Sequence, residues 1–135
     1  MENHQITENL KAHFLRLYQM AICDDDFSAL ELKMLYRCAE ERGISSKNLD
    51  EILLNPINLK SLVPKTIEEK IDYLYDLTVM IWADGIVSPN EHAAMQKYVM
   101  MFGFLEENVM AIVDYLIEAV RIGKNKSEIL YELKN

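Results

Sequence analysis

Hydrophobic residues recur along this chain roughly every three or four positions, and no segment alternates as a half-buried β-strand does. In the first such stretch, from about Thr7, this spacing places Leu10, Phe14 and Leu17 on one face of a helix. Further helices are expected to begin near Ser28, Ser46, Thr66, Ser88, Glu106 and Ser127. The pattern therefore predicts an all-α protein of about seven helices.

Capping residues mark the start of several of these helices. Ser88, Pro89 and Glu91 stand in the order of an N-cap, a proline at the first helical position and a capping-box glutamate. Thr66 and Glu69 form a similar pair. Three helices are expected to end at glycines in the left-handed conformation, which are Gly43, Gly103 and Gly123.

An internal repeat divides the chain into two related halves. Shifting the sequence so that Asp24 falls on Asp84 also places Ser28 on Ser88, Glu31 on Glu91 and Gly43 on Gly103, without a gap. Neither half covers its hydrophobic face alone, so the two are expected to pack together. The predicted architecture is a single domain over 1–135, with three-helix halves at about 7–55 and 66–123 and a C-terminal helix at about 127–134.

Composition and charge restrict the classes of function. Half of the 135 residues are hydrophobic, which is enough for a core without disulfides. The net charge of −8 argues against nucleic acid as a partner, because phosphates would meet a surface of their own sign. The longest apolar window, 77–83, is far short of the ~20 residues that span a bilayer, so no membrane span is expected. Cys23 and Cys38 form no CxxC pair and no secretory leader is present, which predicts a cytoplasmic location and reduced thiols.

The candidate binding site lies in two acidic turns, one in each half. Asp24 and Asp84 stand where a helix ends, and the helix macrodipole makes that position unfavourable for an anion by roughly 0.3–1 kcal/mol. Glu31 and Glu91 stand in the first turn of the following helices. A calcium or magnesium ion would compensate, because hard cations take carboxylate and carbonyl oxygens as ligands. On this interpretation Asp24, Glu31, Asp84 and Glu91 bind a divalent cation.

A second interpretation of the same turns is purely structural. The carboxylates can accept hydrogen bonds from the free N–H groups of the next helix, which contributes ~0.5–2 kcal/mol for a good cap.

The segment 84–91 copies the last part of an EF-hand loop, with Gly85 at the sharp turn. The ligand positions before it hold Met80 and Trp82, so a true EF-hand is not expected.

No arrangement typical of catalysis is present in the sequence. It contains no phosphate-binding loop, nucleophile elbow or HExxH motif, and the chain is predicted not to be an enzyme. His13 is expected to be exposed to solvent. The eight methionines, several of them in or beside the segment 98–104, predict either core packing or an adaptable groove for a partner helix.

The segment ADGIVSPNE, 83–91, followed by FG at 102–103, resembles the signature of the TerB-like tellurite-resistance family. That family includes a domain of a membrane-anchored J-domain co-chaperone. The matching residues are Asp84, Gly85, Ser88 and Glu91, with Asp24, Ser28 and Glu31 in the other copy. The resemblance covers most of the chain and implies an all-helical bundle with two related halves. Members of that family are associated with stress responses, with metal ions and with membrane-proximal complexes, and not with a demonstrated reaction. The resemblance implies a role of the same kind for this chain.

Three hypotheses of function follow from these patterns. The first is a cytoplasmic, non-catalytic interaction module that docks a protein partner and binds a divalent cation at its acidic turns. The second is a carboxylate-dependent metal hydrolase, which would need several oxygens around one ion and an open coordination position. The third is a structural adaptor whose acidic residues only cap helices. Self-association through an apolar face is compatible with each of them.

Overall fold

The computed structural model describes residues 7–22, 29–55, 62–83 and 85–134, and these ranges contain seven α-helices and no β-strand. The helices are α1 (Glu8–Ala21), α2 (Ala29–Glu41), α3 (Ser46–Leu54), α4 (Ile67–Ile81), α5 (Pro89–Met101), α6 (Glu106–Arg121) and α7 (Lys126–Lys134). The prediction of an all-α fold of about seven helices is confirmed for this part of the chain. Among these helices, none combines the length and the apolar character that crossing a membrane would require.

Two neighbouring helices, α1 and α4, organise the bundle. Helix α1 contacts α2, α3 and α4, and α4 also contacts α2, α5, α6 and α7. Every helix contributes to one cluster of buried side chains, through Phe14, Leu35, Leu49, Leu74, Met95, Val113 and Ile129 in turn. Because burying one such apolar side chain contributes about 1.5–3 kcal/mol, this shared interior is the main force that holds the helices together.

The predicted start of α5 is confirmed in detail. The Ser88 side chain accepts a hydrogen bond from the Glu91 backbone N–H at 3.1 Å, and the Glu91 carboxylate accepts one from the Ser88 N–H at 2.9 Å. Pro89 is the first helical residue. The start of α4 follows the same rule, because Thr66 Oγ1 accepts from the Glu69 N–H at 3.1 Å.

The predicted cap of the C-terminal helix is wrong by two residues. Asn125, and not Ser127, is the capping residue: its Oδ1 accepts from the Glu128 N–H at 2.9 Å, and Glu128 Oε1 accepts from the Asn125 N–H at 2.9 Å. Asparagine and serine cap helices about equally well, so the local sequence did not distinguish them. The earlier start places Lys126 in the first turn, where it contacts α4.

Glycine ends α2 and α5 as expected. Gly43 has a φ of 76° and Gly103 a φ of 95°, which is the left-handed region that side chains with a Cβ rarely adopt. This conformation turns the chain sharply into α3 and α6, respectively. The second and third helix of each predicted half therefore lie against each other.

Candidate functional site

The acidic turns are described only in part. Asp24 and Asp84 lie outside the described residues, so the predicted four-carboxylate set is not observed as a unit. Glu31 and Glu91 are described, and only 3% and 2% of their surfaces are exposed. Within the described ranges, no group of three or more His, Cys, Asp or Glu residues is placed to hold a metal ion.

The burial of these two glutamates needs compensation, since an isolated buried carboxylate is costly. For Glu91 the capping box supplies part of it, because one carboxylate oxygen accepts the Ser88 N–H. The N-terminus of α5 adds a favourable partial positive charge. Glu91 is therefore a helix-capping residue, and a role as a cation ligand would be additional to that one.

A charge network that the sequence did not indicate extends from the buried His13 to the partly exposed Lys126. The expectation that His13 is exposed is wrong, because its side chain is completely buried. His13 Nε2 lies 2.9 Å from Asp76 Oδ2, and its ring stacks on Tyr73 with 4.1 Å between centroids and 10° between planes. The hydrogen-bond partner on α4 is what allows a polar ring on the inward face of α1.

Arg42, in the turn after α2, joins this network to two aspartates of α4. Its guanidinium donates to both carboxylate oxygens of Asp72, at 3.0 and 3.2 Å, and to Asp76 Oδ2. Lys126 of α7 pairs with the same two aspartates. The cluster, defined as His13, Arg42, Asp72, Asp76 and Lys126, thus connects α1, the turn after α2, α4 and α7. We call it the buried charge network after its enclosed members His13 and Asp76; Arg42, Asp72 and Lys126 are 21%, 33% and 43% exposed.

The protonation states follow from burial and from the neighbouring charges. Burial raises the pKa of Asp76, but the hydrogen bond and charge of His13 and the charge of Arg42 outweigh it and lower the pKa to about 2. Burial also lowers the pKa of His13, against the opposing effect of Asp76. At neutral pH the carboxylate is therefore ionised and the imidazole is neutral. It follows that Nε2 carries the hydrogen and donates to Asp76.

The network is built to position helices. His13 has no exposed surface, and 9% of the Asp76 side chain is exposed, so a reactant in solvent does not reach the ring. Asp72 and Asp76 are one helical turn apart in α4, which is otherwise mostly apolar. That pair of acids inside an apolar helix is the signal from which a buried partner cation could have been predicted.

A groove between α5 and α6 carries exposed methionine. It has a volume of about 480 Å³. Its lining residues are Ala93, Gln96, Lys97, Met100, Glu106, Val109 and Met110. Met100 and Met110 are 46% and 53% exposed. We call this surface the methionine groove; it combines an apolar floor with a polar rim.

A second groove, between α2 and α3, has different chemistry. It has a volume of about 680 Å³ and is lined by Lys33, Tyr36, Arg37, Glu40, Ile44, Ser45 and Ser46. The shift that aligns Asp24 with Asp84 also aligns Arg37 with Lys97 and Glu40 with Met100. We call this second surface the charged groove, because Glu40 stands where the methionine groove has Met100, and Lys33 and Arg37 also line it.

A histidine at the surface links α5 to α6. His92 Nε2 lies 2.9 Å from Asp114 Oδ1, and His92 Nδ1 lies 2.8 Å from Gln96 Nε2. Both ring nitrogens are thus engaged by neighbours on the protein.

Comparisons with protein-family models, characterised proteins and solved structures give no match to this chain.

Proposed function

We propose that this chain is a TerB-like, non-catalytic interaction module of the stress-response type. It docks a protein partner in the methionine groove and holds a divalent cation at its acidic turns. The observation that carries the docking role is the exposure of Met100 and Met110 on one groove. Methionine side chains are flexible and polarisable, and they suit surfaces that adapt to a partner helix.

The proposal includes the two related halves. Glu31 and Glu91 occupy equivalent positions in the repeat and are both buried, and Gly43 and Gly103 share the left-handed conformation. The charged groove and the methionine groove also lie between equivalent pairs of helices. These correspondences support one ancestral unit that was duplicated, with docking chemistry that then diverged between the halves.

The cation is proposed at the turn that contains Asp84 and Glu91, and at its counterpart with Asp24 and Glu31. What supports it is the burial of both glutamates, each of which stands seven positions after an aspartate in the sequence. Carboxylates in that setting gain from a hard cation such as calcium or magnesium. The proposal of no catalytic activity is supported by the enclosed position of His13 and by the engaged ring of His92.

Substitution of the methionine groove tests the docking role. The amount of partner protein captured from a cell extract is expected to be at least roughly tenfold lower for Met100→Gln/Met110→Gln than for the wild type, because the apolar floor of the groove is lost. Quantitative mass spectrometry of the captured proteins measures this. The matched control is Arg37→Gln/Glu40→Gln in the charged groove, which should capture the same partners as the wild type. Equal capture by the two variants would count against the methionine groove.

Calorimetric titration with calcium and with magnesium tests the cation. The Asp84→Asn/Glu91→Gln variant is expected to bind at least roughly tenfold more weakly than the wild type, because two ligand charges are removed. Glutamine can replace glutamate in a capping box, so α5 should keep its cap. Asp114→Asn, an exposed carboxylate outside the turn, serves as the control. Absence of heat and of thermal stabilisation in the wild type at millimolar ion would leave the turns as helix caps alone. Turnover of phosphoesters with bound metal would instead favour the hydrolase.

A further inference from the structure

We infer that the partner segment recognised by the methionine groove is a basic amphipathic helix. This inference rests on the proposed function, since it specifies the chemistry of the partner that docks there.

The side of the groove formed by α6 is acidic. Glu107, Asp114 and Glu118 are exposed, and their spacing places them on the same face of α6 as Met110. Glu106 lines the groove itself. Helix α6 carries four acidic residues and one basic residue, Arg121, which pairs with Glu118. Asp114 and Glu118 line the adjoining groove and pair with His92 and Arg121, respectively. The acidic wall that a cationic ligand would meet beside Met110 is therefore formed by Glu106, Glu107 and Asp114, whose side chain is 64% exposed.

The other side of the groove offers little opposing charge. Lys97 is the one lysine or arginine of α5, and its Nζ lies 5.5 Å from the centroid of the Tyr98 ring. The rest of the lining from α5 consists of Ala93, Gln96 and Met100, none of which is charged. The net charge of the whole chain, −8, adds a long-range attraction for cations.

An apolar groove floor beside acidic side chains favours a partner helix that has one apolar face and one basic face. Its apolar side chains, at i, i+3, i+4 and i+7, would contact Met100, Val109 and Met110. Its lysines or arginines would lie along α6 and reach Glu107 and Asp114. An anionic lipid surface or a nucleic acid is disfavoured by the same acidic wall, because both present phosphates.

Three synthetic peptides test the inference. Each has 16 residues, the length of α6, and leucines at the helical spacing; the remaining positions are lysine in the first, glutamine in the second and glutamate in the third. Binding is measured by fluorescence anisotropy of the labelled peptide at low and at moderate ionic strength. The lysine peptide should bind at least roughly tenfold more tightly than the glutamine peptide, and this difference should shrink with added salt.

Variants locate the binding. Met100→Gln/Met110→Gln should weaken binding of the lysine peptide at least roughly tenfold. Glu107→Gln/Asp114→Asn should remove most of the difference in affinity between the lysine peptide and the glutamine peptide. Glu40→Gln/Glu41→Gln, which removes the same charge from α2, should leave binding as in the wild type. Circular dichroism of each variant verifies that the helices are kept.

The outcomes separate this inference from the proposed function. Equal binding of the lysine and glutamine peptides in the groove would overturn the basic partner and leave the docking role intact. Binding of none of the three would count against the groove as a helix-docking surface, and so against both. A concentration-dependent dimer that Met100→Gln/Met110→Gln dissociates would assign the groove to a second copy of this chain, which also overturns the inference.

Discussion

Replacement of Arg42 by methionine is expected to destabilise the protein by about 1.5–3 kcal/mol, the typical contribution of hydrogen bonds to charged groups. The larger effect of breaking a fully buried ion pair does not apply, because 21% of the Arg42 side chain and 33% of the Asp72 side chain are exposed. The substitution leaves Asp72 and Asp76 without the guanidinium that contacts three of their carboxylate oxygens. Lys126 still pairs with both aspartates, but its side chain is 43% exposed, and its Nζ lies 3.5 Å from Asp76 Oδ1. Asp76 also keeps His13, but that imidazole is neutral at pH 7, so the positive charge is only partly replaced. Urea unfolding followed by circular dichroism measures the loss.

Two control variants make this result specific. Arg37→Met removes an exposed arginine that pairs with Glu41 at 3.6 Å, and we expect a change of about 0–1 kcal/mol. Arg42→Lys keeps the charge but cannot form the two parallel hydrogen bonds to Asp72, so it should fall between the wild type and Arg42→Met. An Arg42→Met protein as stable as Arg37→Met would mean that the buried charge network contributes little to stability.

The second large effect is a loss of stability in mild acid that originates at His13. Burial lowers the pKa of this imidazole from its ordinary 6.5 in the folded protein. Below pH 6.5 the unfolded chain therefore binds a proton that the folded protein does not bind. Stability must fall as the pH decreases from 6.5 towards the lowered pKa, by up to about 1.4 kcal/mol per pH unit. Asp76 adds a further loss at lower pH, between 3.8 and about 2.

His13→Gln tests the origin of that slope. Glutamine places an amide N–H near the position of Nε2 and does not titrate, so the variant should be less dependent on pH between 7 and 5 even if its stability at pH 7 is lower. His92→Gln is the control; it keeps His13 and should retain the part of the slope that His13 causes. Urea midpoints at a series of pH values measure both. A His13→Gln protein with the full wild-type slope would refute this assignment.

The helices were predictable because their signals are local. Ser88, Pro89 and Glu91 lie within four residues of one another, and their hydrogen bonds form inside a single turn. The cap of α7 was missed because Asn125 and Ser127 are both good caps. The contact of Lys126 distinguishes the two possible helix starts. With Asn125 as the cap, Lys126 is the first residue of α7 and pairs with Asp72 of α4. That contact depends on how α7 docks, which local propensity does not contain.

The buried charge network could not be read from periodicity. His13 and Asp76 are 63 residues apart in the sequence, and Arg42 and Asp76 are 34 apart. Hydrophobic spacing identifies the inward face of α1 through Phe14 and Leu17. It does not show that a histidine beside them has an ionised partner on another helix, which is the condition for burying it.

The sequence by itself determined the number of helices, most of their ends and the capping role of Glu91, because each depends on residues within a turn of one another. Only the tertiary structure decided that His13 is buried, that Arg42 holds two aspartates of α4, and that Met100 and Met110 share a groove. Those features depend on which helices meet, and the packing of distant side chains selects that arrangement from many that the same helical pattern allows.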